Sequence, residues 1–154
     1  MRRMSLALLC ALSLLSAACD ASPTEPTIEN TEFASSLGVD LSQMTKTSSG
    51  LYYRDLAVGT GAVVQSGQTV GVYYRGWFPN GTQFDSRVTG QPPFSFRVGT
   101  GQVITGWDQG IPGMRVGGRR QLVVPPSLGY GPVDYGLIPG NSILVFEVQV
   151  VSAS

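Results

Sequence analysis

The chain has 154 residues, 10 basic against 10 acidic side chains, no histidine and two cysteines. That length suits one domain with a single core, and the balanced charge, with no basic run, leaves no electrostatic footprint for nucleic acid. With histidine absent and Cys10 and Cys19 the only thiols, metal-assisted chemistry and Ser-His or Cys-His nucleophilic catalysis are excluded, and no metal site is expected.

Residues 1–18 have the layout of a secretory signal peptide: Arg2 and Arg3, an apolar run over 6–15 too short to span a bilayer, and small residues ending at Ala18. The end of this segment, "LSAAC", resembles the lipobox of bacterial lipoproteins, in which Cys19 is lipidated and becomes the first mature residue. Ordinary signal-peptidase cleavage after Ala18 would instead leave Cys19 as a free thiol. A lone thiol in an oxidising compartment favours the lipoprotein. Acyl chains on Cys19 would hold the protein to a lipid bilayer, at about 0.8 kcal/mol per buried methylene. The expected location is therefore exported and anchored to a bacterial membrane, on the periplasmic side or in the cell envelope. Asp20 resembles an inner-membrane retention signal. Residues 19–49 are expected to form a flexible, lipid-anchored tether, because "DASPTEPTIENTE" has almost no large apolar residue to bury. Phe33, Leu37, Val39, Leu41 and Met44 follow at a spacing that fits neither helix nor strand, which leaves a short helix or docked strap open there.

From residue 50 onward the pattern becomes strands and turns. "LYYRDLAV" (51–58) stops at "GTG", and "TVGVYYRGWF" (69–78) stops at "PNG". "QLVVP" (121–125) is a further strand, with Arg119 and Arg120 expected as solvated charges at its start. In "ILVFEVQVV" (143–151), Leu144, Phe146, Val148 and Val150 alternate with Glu147 and Gln149, which marks a sheet with one buried face. One helix is predicted over 104–111, where Ile104, Trp107 and Ile111 form a stripe that Pro112-Gly113 ends. The fold class is α+β, a twisted antiparallel sheet with one short helix on its apolar face. "GTGQVITG" (99–106) fails as a dinucleotide loop, because Ile104 stands where the third glycine is needed.

Three stretches, "GQTVGVYYRGWFPNGTQFDS", "PFSFRVGTGQVITGWDQGIPGMRVGGRRQLVVPPSLGYG" and "IPGNSILVFEV", resemble in order and spacing the FKBP-type peptidyl-prolyl cis-trans isomerases. The resemblance covers about residues 50–152 and assigns residues 50–154 to one isomerase domain. It implies an enzyme that speeds rotation about Xaa-Pro bonds in unfolded or exported polypeptides, without a cofactor. Trp107 would form the pocket floor, with Tyr74, Phe84, Phe94, Val103, Ile104 and Phe146 as walls. The Ile104 N–H and Tyr130 hydroxyl would bind substrate carbonyls, and Asp85 would accept a hydrogen bond from Tyr74. Leu137 and Ile138 would border the pocket. Asp85, Tyr130, Ile104 and Phe84 are thus the catalytic candidates; Tyr74, Phe94, Val103, Trp107, Ile138 and Phe146 are the substrate-binding ones. Macrolide immunosuppressants are further candidate ligands, a non-catalytic holdase for proline segments is the rival reading, and a monomer is expected. The sequence departs from the family in two places. Many members carry an arginine where Gly90 stands, leaving Asp85 without that partner, and Val133, Asp134 and Tyr135 replace small or histidine residues.

Overall fold

A computed structural model describes residues 26–154. The expected signal peptide, Cys19 and Asp20 lie outside the described residues. Seven strands form one antiparallel sheet: β1 (Thr45–Lys46), β2 (Tyr52–Ala57), β3 (Thr69–Trp77), β4 (Gln83–Arg87), β5 (Phe94–Arg97), β6 (Arg119–Val124) and β7 (Leu144–Ala153). Their order is β1-β2-β6-β7-β3-β4. β5 pairs with Thr69–Val72 and β4 with Tyr74–Trp77, so two short strands share one edge of β3. The single α-helix among the described residues, α1 (Thr105–Gly110), lies against the inner face, as the 104–111 stripe predicts.

Two buried glycines set how closely α1 approaches the sheet. A Cβ on Gly106 would meet Val124 at 2.7 Å, and one on Gly110 would meet Leu122 at 2.7 Å. Both residues lie one helical turn apart on the face toward β6, so the helix backbone rests on the Leu122 and Val124 side chains. Trp107 and Ile111 are buried within the same core as Val72, Leu144, Phe146 and Val148.

Within the described part of residues 19–49 the chain is docked, taking the strap alternative left open by the spacing of Phe33, Leu37, Val39, Leu41 and Met44. Ile28 is only 3% exposed, and with Phe33, Leu37, Val39, Leu41 and Met44 it packs on Tyr52, Val123, Ile143 and Val145, which form the outer face of the sheet. Three 3₁₀ turns, Ile28–Asn30, Ser35–Leu37 and Leu41–Gln43, carry this strap across the strands into β1. Sparse apolar residues suffice because each drops into an apolar face already built by the domain, so the strap needs no core of its own. Its backbone is also tied to the domain: Ala34 N–H donates to Pro79 O at 2.8 Å, and the Gln121 side-chain amide donates to Leu37 O at 2.7 Å. Near its start, the Glu29 carboxylate accepts from Lys46 and from the Tyr52 hydroxyl, which hold its pKa down from 4.5 to about 2.

Arg120 corrects an expectation. It is 7% exposed rather than solvated. Its guanidinium grips both Asp55 carboxylate oxygens at 2.7 and 2.9 Å, donates to Gly110 O at 2.9 Å and lies over the Tyr53 ring. The fork of an arginine suits this bidentate use, and it ties the end of α1 to β2.

Candidate functional site

On the inner face a cavity of about 260 Å³ opens between α1 and the β3–β4–β5 side of the sheet. Tyr74 comes from β3, Phe84 and Asp85 from β4, Phe94 from β5, Trp107 from α1 and Phe146 from β7. Gln102, Val103 and Ile104 form the lip before the helix, and Tyr130 stands opposite. Nine of the ten expected pocket residues therefore meet in one place. The exception is Ile138, which is 7% exposed and belongs to the core cluster, not to the cavity wall. A tight turn explains this, since Tyr135 and Ile138 exchange backbone hydrogen bonds at 2.8 and 2.9 Å. Leu137, also expected at the border, stands 84% exposed.

Trp107 is fixed by edge-on contacts. Its ring centroid lies 5.0 Å from Tyr74 at 79° and 5.3 Å from Phe146 at 83°. Phe84 meets Phe146 edge-on at 5.6 Å, over Gly76, where a Cβ would strike both rings below 3 Å. Such T-shaped pairs satisfy the ring quadrupoles and resist sliding, so the walls are rigid. The Trp107 Nε1–H is buried and has no acceptor.

Asp85 is the one charged side chain lining the cavity. The Tyr74 hydroxyl donates to its Oδ2 at 2.7 Å and the Ser86 N–H to its Oδ1 at 2.8 Å, so the carboxylate is held from both sides. Arg87, two residues along β4, lines a neighbouring groove and forms no ion pair with Asp85. Burial, and then the hydrogen bond to Asp85, raises the Tyr74 pKa, and burial likewise raises that of Tyr130. Both phenols therefore stay protonated and able to donate throughout the neutral range.

Two residues that the sequence reading did not single out shape the lip. Gln102 lines the cavity and donates no charge. Asp108, on α1, accepts the Gly99 N–H at 2.7 Å and the Gly101 N–H at 2.8 Å, drawing the preceding loop onto the helix. Gly99 and Gly101 have φ of 76° and 74°, a conformation that favours glycine, and this "GTG" turn was the available signal. The loop leaves Ile104 as the N-cap of α1. Its carbonyl accepts from Trp107 and Asp108, while its own N–H finds no acceptor among the described residues. Among the described residues, no group of three metal-ligating side chains comes together.

Residues 61–151 match the family model described as FKBP-type peptidyl-prolyl cis-trans isomerase. The chain belongs to that family. The FKBP domain is 43% identical over 103 residues to the FK506-binding protein of Neisseria meningitidis serogroup B, covering 66% of this chain and 94% of that one. It is 48% identical over 106 residues to FK506-binding protein 4 of Gibberella zeae, covering 69% of this chain but 21% of the relative. The chain thus spans about a fifth of that longer relative. The crystal structure of AtFKBP13 superposes with a TM-score of 0.67 at 38% identity, covering 72% of this chain and 98% of that one. The FKBP fold, an antiparallel sheet with one short helix, is the one expected from the sequence.

Proposed function

We propose that the protein is a peptidyl-prolyl cis-trans isomerase that speeds the folding of exported polypeptides. The observation that carries this reading is an aromatic cavity holding a single carboxylate with a hydrogen bond to each of its oxygens. Rotation about an Xaa-Pro bond is slow because resonance must be broken, and the planar amide is more dipolar than the twisted one. Withdrawing it from water into aromatic walls therefore penalises the ground state more than the transition state. A reduction of about 5–6 kcal/mol gives roughly 10⁴-fold, with no acid, base or nucleophile. The proline ring rests on Trp107. The unsatisfied Ile104 N–H and the Tyr130 hydroxyl hold carbonyls on either side of the turning bond, and Asp85, fixed by Tyr74, sets the polarity beside it. Phe84, Phe94, Val103 and Phe146 exclude water.

The test is a protease-uncoupled isomerisation assay on the full protein beside Trp107→Ala and Asp85→Ala. Rates equal to buffer for all three refute the enzyme. A holdase is the second reading, favoured by the exposed Val133, Tyr135 and Leu137 near the site. It predicts suppressed aggregation of an unfolded client without faster prolyl rotation. The N-terminal sequence supports export and acylation of Cys19, and mass spectrometry of the mature N-terminus decides between a diacylglyceryl-modified Cys19 and a free thiol. Relatives named for binding FK506 make macrolides a ligand class here. With Gly90 and the Val133–Asp134–Tyr135 rim, affinity for them is expected to be altered while isomerisation persists, as competition in the same assay will read.

A further inference from the structure

Five of the six rings lining the cavity hold one another in place. Tyr74, Phe94, Trp107, Phe146 and Phe84 are linked by edge-on contacts at 5.0 to 6.3 Å, and the Tyr74 hydroxyl is bound to Asp85. Tyr130 stands outside this network. Its hydroxyl has no hydrogen-bond partner among the described residues, and its ring has one aromatic neighbour there, Tyr135, at 4.8 Å with the planes 18° apart. Stacked rings at this separation attract each other beyond the area they bury. Burial first, then Tyr135 and Asp85, raise the Tyr130 pKa, so the phenol lies within reach of both the stack and the carboxylate.

Tyr135 is 64% exposed, yet its place is fixed by the loop that carries it. Asn141 N–H donates to Gly131 O at 2.8 Å, and Gly140 N–H to Asp134 Oδ1 at 2.8 Å. A Cβ on Gly140 would strike the Pro132 carbonyl, so the two limbs of the loop touch. Inside this base, the turn between Tyr135 and Ile138 runs through Gly136 at φ 59°, and Ile138 drops into the core cluster that includes Trp107 and Leu128. Residues 132–137 are all exposed and Ile138 is buried, the pattern of a loop pinned at one point. The pin lies directly across the turn from the residue that stacks on Tyr130.

We propose that Tyr135 is a positioning residue for Tyr130: the stack keeps the phenol turned over the cavity, where its hydroxyl meets the substrate carbonyl, and Ile138 pins the stack. This rests on the isomerase reading above. A tyrosine side chain has three staggered χ1 wells, and only one places the hydroxyl on the carbonyl. Apparent affinity falls in proportion to the fraction of molecules in that well, so losing the stack weakens binding about 3-fold when all three become equally populated. Tyr130→Phe sets the limit, because one hydrogen bond contributes about 2- to 10-fold. A contact made alike to the planar and the twisted amide raises KM when lost and leaves kcat unchanged.

The experiment uses the full protein and one Leu-Pro peptide, with KM and kcat from the uncoupled assay and affinity from tryptophan fluorescence titration. Tyr135→Ala is expected to raise KM about 2- to 5-fold at constant kcat, and Tyr135→Phe, which keeps a stacking ring, recovers most of that loss. In a Tyr130→Phe background Tyr135→Ala has no further effect on KM, since no hydroxyl remains to position. NMR of the parent shows the Tyr130 ring protons shifted upfield by the ring current of Tyr135, a shift that Tyr135→Ala abolishes and Tyr135→Phe keeps. Unchanged KM and affinity in Tyr135→Ala, or no ring-current shift in the parent, overturns the inference. An effect of Tyr135→Ala that persists in full without the Tyr130 hydroxyl overturns it in favour of direct substrate contact by Tyr135. Absence of turnover with the same pattern retained in the peptide affinities removes the isomerase reading and leaves the positioning role standing.

Discussion

Replacing Trp107 separates what the indole does for stability from what it does for the site. Trp107→Phe removes an N–H that is buried without an acceptor, a feature costing about 1–3 kcal/mol, while keeping a ring on the cavity wall. The indole's additional ring atoms contribute about 1–2 kcal/mol of burial, at about 0.8 kcal/mol per methylene-sized group. The two effects oppose each other, so Trp107→Phe is expected to lie within about 1 kcal/mol of the parent. Trp107→Ala also loses the edge-on contacts to Tyr74 and Phe146, each about 0.5–1.5 kcal/mol, and leaves a cavity. A cost of about 3–5 kcal/mol follows. Urea unfolding with linear extrapolation measures both, and the isomerisation assay is run on the same samples. Activity of the Phe variant should fall by less than about 10-fold and that of the Ala variant by more, a divide of about 1.4 kcal/mol in transition-state stabilisation. If Trp107→Phe is destabilised as much as Trp107→Ala, the buried N–H is no burden and the reasoning fails. An Ala variant with undiminished kcat/KM, still folded, removes the platform from the mechanism.

Asp55→Ala strips the carboxylate from a guanidinium that is 8% exposed; because Asp55 is itself 38% exposed the cost is discounted to about 1–3 kcal/mol, measured by denaturant midpoint. Asp55→Asn, which keeps an acceptor, should recover part of it. Isomerisation should show a flat kcat/KM from about pH 6 to 9.5, because the chain has no histidine and the Tyr74 and Tyr130 pKa values are raised. A bell with a limb near pH 7 contradicts a mechanism without proton transfer. Glu29 has a folded pKa depressed to about 2 from 4.5, so its contribution to strap docking is complete above 4.5 and disappears as pH falls toward 2. Hydrogen exchange of the Ala34 and Leu37 amides should accelerate in that window before the β6–β7 core does, and Glu29→Gln should abolish the early phase. Ile28→Ala is expected to cost about 2–4 kcal/mol if the strap is part of the cooperative unit, and nothing if it unfolds separately.

The inner half of the molecule was legible because regular periods report burial on one side. β7 alternates, α1 carries its stripe, and the aromatic residues of the cavity occur in family order. The outer half was not, although "QLVV" and "ILVF" held a sign of it. Leu122 and Val124 face the helix while Val123 faces the strap, and Leu144 and Phe146 face inward while Val145 faces outward. Uninterrupted apolar runs of this kind mean that both faces of a strand are covered. The strap itself crosses the strands in 3₁₀ turns, which have no period to detect. Arg120 looked like a surface charge because its partner, Asp55, is 65 residues away. Ile138 turns into the core and Leu137 out to solvent, neither on the expected rim, through a turn whose closure depends on backbone geometry, which side-chain identity does not reveal.

Capture of the chain on the far side of the sheet also fixes a length. From Cys19 to Pro26 there are eight residues, which reach no further than about 29 Å at full stretch. Were Cys19 acylated, that leash would be no longer than a small domain is wide. The enzyme would then serve only polypeptides passing within about the leash length plus its own breadth of the lipid, with its back, not its mouth, moored.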